Sequence, residues 1–555
     1  MKKLSVPIVL MLVIAMVLAA CGATETPPTK QAPQEATAAP TAAPTAAPVA
    51  AERVLRATFS WPLYADPAVG SDYASSPALV NIYDTLVFPT ADGGTDPWLA
   101  ESWDISPDGT TYTFHLRKGV KFHDGTELLA GDVVYSYNRL HTIGEGYAYL
   151  VSGVTSVKAS DDYTVAFQLE KASGLFVPSL ARLSILNEDL VRANTVAEGA
   201  YAAEGDYGKA WLLTNDAGSG PYKIVEFPLE EYCLLEKYDG WWAADTFLPN
   251  APTQAKFIGT TEAATVRALM STGELEISDQ WQTVEAYQAL DKIEGVDVKT
   301  FLSMSSFYYM LNTRLAPTDD IHCRKAMAYA FDYEAAVALE WPGTPVMDGP
   351  VPAALGGHDP NVMTYTRDLD KARAELAQCK YAADLASVPI DVHWISEVPA
   401  EEKFALLFQA NMAEIGMTVN VVQTPWLSVV EEMAAQETSP HVVTVYVSAG
   451  LPEAGLMIKD RYHSSTANTW QQNEWLLDPE LDAAIEDALA TADQGERFAK
   501  YAALEAQIME LCPSLFLYDQ LEQHAVVSYV DWDPAGQSPL MGYAFWLPAM
   551  GVNAP

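Results

Sequence analysis

Positive charge is scarce in this chain of 555 residues: 32 lysines and arginines stand against 73 aspartates and glutamates, a formal net charge of −41. Nucleic-acid binding needs a basic footprint, so this balance excludes it. The polypeptide is equally a poor partner for anionic lipid. Cysteine is scarcer still, and none of the five stands in a C-x-x-C pair, so neither a zinc knuckle nor a thioredoxin-like site is indicated. No G-x-S-x-G elbow, H-E-x-x-H pair or phosphate-cradling glycine loop occurs. Paired carboxylates carry no information among so many acids. After residue 51 no apolar run is long enough to cross a bilayer. No repeat of 20–50 residues marks a solenoid.

The N-terminus is different in kind. Lys2 and Lys3 precede an apolar run of 17 residues, 4–20, interrupted by Ser5 and Pro7. That is short for a spanning helix, which needs about 20 apolar residues. It ends in Leu-Ala-Ala-Cys-Gly, residues 18–22, which resembles the lipobox of bacterial lipoproteins. The resemblance implies removal of residues 1–20 and acylation of Cys21, a stable anchor when several chains are attached. Residues 24–51 are rich in Pro, Ala, Thr and Gln, with TAAP three times in tandem over 37–48. Such a stretch has almost nothing to bury and reads, as 21–51, as an extended tether.

About 504 residues remain after residue 51, enough for two or three domains. Fourteen Trp, 27 Tyr and 17 Phe imply a well-packed body. VLRATF (54–59), TYTFHL (111–116), VKF (120–122), ELEIS (274–278) and SLFLYD (514–519) read as strands. Residues 132–140, 262–270, 367–381, 401–415, 480–489 and 496–511 read as amphipathic helices. Strands alternating with helices point to the α/β class. Cys233, Cys323, Cys379 and Cys512 allow three pairings, and their spacing leaves the choice open.

Five stretches, in order, resemble the family 5 extracellular solute-binding proteins, the dipeptide and oligopeptide group. The longest is PWLAESWDISPDGTTYTFHLRKGVKFHDGTELLAGDVVYSYNRL, 97–140. The others are GSGPYKIVEF (218–227), MLNTRLAPTDDIHCRKAMAYAFD (310–332), KARAELAQCKY (371–381) and FQANMAEIGMTVNV (408–421). The resemblance implies a two-lobed α/β fold of the periplasmic-binding-protein type, closing on its ligand about a hinge. It implies a first lobe from 52–82, 214–300 and 513–555, a smaller inserted domain over 83–213, and a second lobe over 301–512. Hinge residues are expected near Thr300 and Pro513. The implied role is an extracytoplasmic receptor handing its solute to the permease of an ABC importer, as a monomer, with no catalysis and no cofactor.

Within that frame Phe59, Ser60 and Trp61 end the first strand, where α/β sheets present a binding edge. In the family an aromatic near Tyr147 and Tyr149 reaches the cleft. Trp394 and Trp426 would supply apolar walls with a polar rim. Asn312 reads as structural, and His115 and His123 as turn or surface histidines. The most telling segment is 443–465, which contributes Tyr446, Ser448, Gly450, Glu453 and His463. In peptide-binding members its counterpart resembles A-D-Y-P-D-P, whose first aspartate pairs with the ligand's α-ammonium. Here the register reads Ala449-Gly450-Leu451-Pro452-Glu453-Ala454, so the anchoring position carries no side chain. Glu453 stands where the second aspartate would. His463 has a counterpart that touches chelated metal in nickel-binding relatives, though one histidine makes no metal site. The cargo expected is a peptide or a similarly sized polar solute. An oligosaccharide, an opine-like compound or a metal chelate is the alternative that Gly450 favours. A secreted hydrolase is the remote reading, and a non-transporting sensor or adhesin a further one.

Overall fold

The computed structural model describes residues 53–553, apart from 60–63, 71, 73, 261, 397 and 399. The signal segment, Cys21 and the tether lie outside the described residues, as do Ser60 and Trp61. Among the described residues no helix is long and apolar enough to cross a membrane.

Three sheets organise the body. In the first, Val54–Phe59 pairs in parallel with Gln254–Gly259, and Tyr232–Lys237 and Tyr222–Glu226 continue it antiparallel. Leu55, Ala57 and Phe59 alternate inward, as a period of two dictates.

The second sheet is antiparallel throughout, ordered Ala100–Ile105, Thr111–Leu116, Thr164–Leu169, Val154–Asp161. In Thr111–Leu116 the inward residues are Tyr112, Phe114 and Leu116, the face its alternation predicts. Helix Ala130–Ile143 packs on this sheet, burying Val133, Tyr137 and Leu140, and ends at Gly144 in the left-handed conformation. VKF makes no strand of its own; only Lys121 forms a bridge, to Glu127.

The third sheet runs Val419–Thr424, Ile390–Ile395, Val442–Ser448, Val296–Leu311, Ser514–Val527. Its last two strands, of 16 and 14 residues, form an antiparallel ribbon from Val296↔Val527 to Met310↔Ser514. Ile277 bridges both Ala57 and Val526, which stitches one end of this ribbon to the first sheet. That bridge is all that ELEIS contributes to a sheet. Glu276 meanwhile turns its carboxylate onto Arg56.

The ribbon's register slips between Leu302 and Ser306, opposite 519–521, and Ser303 Oγ donates to the Gln520 carbonyl there at 3.1 Å. A bulge bends and twists a ladder locally, so this is where the ribbon changes direction. The slip follows Thr300 in the sequence. On the returning strand it falls beyond Pro513, because Ser514 still pairs deep in the third sheet.

Helix Leu369–Leu376 is shorter than its pattern predicts, since Cys379 leaves it to bond Cys323 on helix Ile321–Ala330. The pair closes a loop of 56 residues. Constraining a loop of that size in the unfolded chain is worth about 4 kcal/mol. Cys233 and Cys512 are buried free thiols.

Candidate ligand-binding cleft

The inserted sheet and the helices of the third-sheet region meet across a cavity of about 820 Å³. One wall comes from the turn and strand after helix Ala130–Ile143, with Tyr149, Leu150 and Lys171. The other comes from the segment following strand Val442–Ser448, with Leu451, Lys459 and His463. Asp460 also lines the cavity, its carboxyl pushed up by burial and pulled back by Lys459 and Arg461. The walls touch at one end, where the Gly174 N–H donates to the Leu489 carbonyl at 2.8 Å. Gly174 admits this approach because a Cβ there would collide with the Thr491 carbonyl.

Gly450 stands at the rim opposite Tyr149. A Cβ at position 450 would collide with the Tyr149 hydroxyl. The space that an aspartate side chain would enter is therefore held by a phenol from the facing wall. Tyr149 is 52 % exposed and His463 nearly buried, and both line the cavity. The Nδ1 of His463 accepts from the Ser465 N–H at 3.0 Å, and its Nε2 lies 3.5 Å from Glu486. Among the described residues the one cluster with metal-ligand spacing is Asp320, Cys323 and Cys379, whose thiols are spent in the disulfide.

Other expected contacts sit elsewhere. The Glu453 carboxylate is fully buried and takes both Nε and Nη2 of Arg497, at 2.5 and 2.9 Å. The Tyr501 hydroxyl donates to it as well, at 2.8 Å. That carboxylate is saturated inside its own lobe and has nothing left for a ligand's ammonium. Trp394 is 6 % exposed on the same strand face as Ile390 and Val392, so it belongs to the main core. Trp426 opens helix Trp426–Met433 and packs edge-on against Trp470 at 5.2 Å, over Val429 and Met433. Phe59 is locked between Phe257 and Phe545. Tyr147 is buried with the Arg182 guanidinium 4.4 Å above its ring. The Tyr446 hydroxyl meets that of Tyr518 at 2.6 Å, whereas Ser448 is exposed and its Oγ lies 2.5 Å from that of Ser305.

The long motif over 97–140 has a structural task. Its His123 places Nδ1 2.6 Å from Asp216 and Nε2 3.0 Å from the Gly220 carbonyl, pinning the motif to the GSGPY segment. His115 stays at the surface beside Asp104. Trp98 joins Trp241 and Trp242 in donating indole N–H groups to Asp84, and Ser219 adds a fourth bond. Burial still pushes the Asp84 carboxyl up to about 6. Asn312 is likewise structural, its side chain bonding Ser439 and the Arg314 N–H.

Three large sheets, two of them joined at one end of a long two-stranded ribbon, are compatible with the two-lobed architecture the sequence resemblance implies. The sequence model of the bacterial extracellular solute-binding proteins, family 5, matches residues 94–468. The chain belongs to this family. The dipeptide-binding protein of Escherichia coli is 26 % identical over 475 residues, covering 81 % of this chain and 85 % of that protein. The periplasmic binding protein DppA of Helicobacter pylori, solved with the peptide STSA, superposes with a TM-score of 0.70 at 24 % identity. That match covers 90 % of this chain and 98 % of the other. The substrate-binding protein CtaP of Listeria monocytogenes gives a TM-score of 0.78 at 22 % identity, over 91 % and 100 % of the two chains. These likenesses establish a two-lobed α/β binding-protein fold for this family 5 member. Members of the family are solute-binding proteins, which sets the hydrolase reading aside.

Sequence reasoning did not find the far wall of the cavity. Leu456, Lys459, Asp460 and Glu486 belong to two ordinary amphipathic helices, Ala454–Tyr462 and Pro479–Ala490. The one available signal was their position just after the Gly450 segment.

Proposed function

We propose that this family 5 protein is the extracytoplasmic receptor of an ABC importer, tethered by lipid on Cys21, and that it captures a peptide or peptide-sized polar solute between its lobes. It acts as a monomer, docks on the permease subunits when closed, and performs no catalysis. The lobes comprise 52–82, 214–300 and 513–555 on one side and 301–512 on the other, with 83–213 inserted. Of the expected contacts, Tyr149 and His463 line the cavity, Gly450 faces the Tyr149 hydroxyl, and Ser448 is exposed. The observation that carries the reading is a cavity of about 820 Å³, of the size small-ligand sites take, between the inserted region and the second lobe.

One observation favours a second cargo. With the Tyr149 phenol in the space beside Gly450 and Glu453 tied to Arg497, no carboxylate of the 449–454 segment is free for an α-ammonium. A solute without a free amino group, such as an oligosaccharide, an opine-like compound or a chelate, fits that rim equally well.

Uptake in cells tests the role. Deleting the gene should abolish uptake of labelled short peptides, and Cys21→Ser should move the protein from the membrane to the soluble fraction. Undiminished uptake of peptides, sugars and chelates alike would remove the receptor role, and unchanged fractionation of the variant would remove the lipid anchor. Loss of sugar or chelate uptake, with peptide uptake unchanged, would select the second cargo.

A further inference from the structure

Among the described residues Arg182 is a buried cation without a counter-charge. It is 7 % exposed and lies where the inserted region meets the C-terminal segment. Its Nη1 donates to the Met541 carbonyl at 3.0 Å, and the Tyr147 ring covers one face of the guanidinium at 4.4 Å. Nε and Nη2 are buried and donate to nothing. Among the described residues no carboxylate oxygen comes within 4.0 Å of it.

The two idle nitrogens are a particular pair. Nε and Nη2 form the side-on edge of a guanidinium, with two parallel N–H bonds spaced for the two oxygens of one carboxylate. Elsewhere this protein shows the edge in use. Arg497 gives Nε and Nη2 to the two oxygens of Glu453, and Arg56 gives the same two atoms to Glu276 at 2.9 and 2.5 Å. Arg182 lines a cavity of about 30 Å³ shared with Tyr83, Thr85, Tyr147, Ser184 and Tyr543. At roughly 10–15 Å³ per water-sized occupant, that is room for a carboxylate head and not for a whole peptide.

We infer that the Nε/Nη2 edge of Arg182 is a carboxylate-binding site. Gly450 leaves the cleft without the acid that would hold an amino end, and Arg182, in a cavity that shares no lining residue with the cleft, offers a cation to an acid group. The carboxylate belongs either to the captured solute, which rests on the receptor reading above, or to a small free acid.

Two probes on the full chain separate these cases. Acetate should raise the melting temperature of the wild type above that in matched acetamide and sodium chloride. Arg182→Met should abolish the acetate-specific shift, and Arg182→Lys, which keeps charge without the fork, should lose most of it. Arg182→Met should itself melt close to wild type, because the loss of the bond to the Met541 carbonyl is offset by removal of a buried charge with no counter-charge. If it fails to fold, Arg182→Lys carries the comparison. The second probe is tri-alanine against its C-terminal amide. The amide should bind about tenfold or more weakly in the wild type, and the gap should close in the variants. Acetate binding that needs Arg182, with neither tripeptide bound, keeps the site, assigns it to a free acid and counts against the peptide reading. Tripeptide and amide bound equally, with the acetate response the same in all variants, overturns the site while the peptide reading survives. No response to either probe overturns the site as well.

Discussion

Replacing Glu453 by glutamine separates two roles that its position in the sequence confuses. Aligned with the second aspartate of peptide-binding members, Glu453 looks like a ligand contact. In the structure its carboxylate is fully buried against Arg497, whose side chain is 3 % exposed. Glutamine keeps the shape and removes the charge, which strands the guanidinium with the Thr491 and Ala492 carbonyls as acceptors at 2.9 and 3.0 Å. Breaking one side of a buried pair costs about 3–5 kcal/mol. Unfolding entropy runs near 2.1 cal/mol/K per residue, so a body of about 500 residues gains roughly 1 kcal/mol per kelvin. Glu453→Gln should then lower the melting temperature by about 3–5 °C if the body melts as one unit. The shift should be larger if the second lobe melts alone. The double variant Glu453→Leu with Arg497→Met should recover most of the loss, because apolar replacement of both partners is close to neutral. Scanning calorimetry on the wild type, Glu453→Leu, Arg497→Met and their combination reads the coupling directly. A Glu453→Gln protein that melts within a degree of wild type but no longer binds its solute would show that the carboxylate faces the ligand.

Three further outcomes follow from the same packing. Trp394→Ala should cost about 3–5 kcal/mol in chemical denaturation while the folded fraction keeps its affinity; an unchanged midpoint with lost affinity would return Trp394 to the cleft. Burial pushes the carboxyls of Glu401, Glu474 and Asp519 up to about 7 and that of Glu505 up to about 8. The folded form then holds more protons than the unfolded one between about pH 4 and pH 8, so stability is greatest at the acid end and declines as pH rises through that window. Each such group contributes of order 1 kcal/mol per pH unit across its shift, so the protein should melt higher at pH 5.5 than at pH 8.5, and a rise toward alkaline pH would contradict this. Paired replacement of Cys323 and Cys379 by serine should cost about 4 kcal/mol, and reduction of the wild type should cost the same. Replacing both free thiols, Cys233 and Cys512, should leave that reductant response intact, and its loss would contradict the Cys323–Cys379 pairing.

Local pattern carried much of the fold. TYTFHL alternates strictly because one face of the strand is buried, VLRATF alternates until Thr58 is buried too, and both strands span the residues their pattern marks. Helices Glu401–Ala413, Pro479–Ala490 and Gln494–Leu511 were legible from their period. ELEIS misled because burial of Leu275 through Ser278 does not alternate, and Ile277 bridges two sheets without joining either as a strand. At the site, sequence position brought Tyr149, Gly450 and His463 to one cleft, and the family register supplied that. Trp394 and Glu453 could not be sorted in the same way. A tryptophan at a strand's end faces core or cleft according to a parity that only the neighbouring sheet fixes. An acid's availability depends on a partner that here lies 44 residues away. Arg182 carries no sequence signal at all, since what sets it apart is the carboxylate it lacks.

A melting-shift screen of the full chain against di- to pentapeptides, oligosaccharides and nickel chelates tests the central claim most directly. A solute held between the lobes at 100 times its Kd should add about 2.7 kcal/mol to the stability of the folded form. The account predicts such a shift with peptides or with a polar solute of their size. No shift with any of the three classes at millimolar concentration would contradict a receptor that closes on its cargo.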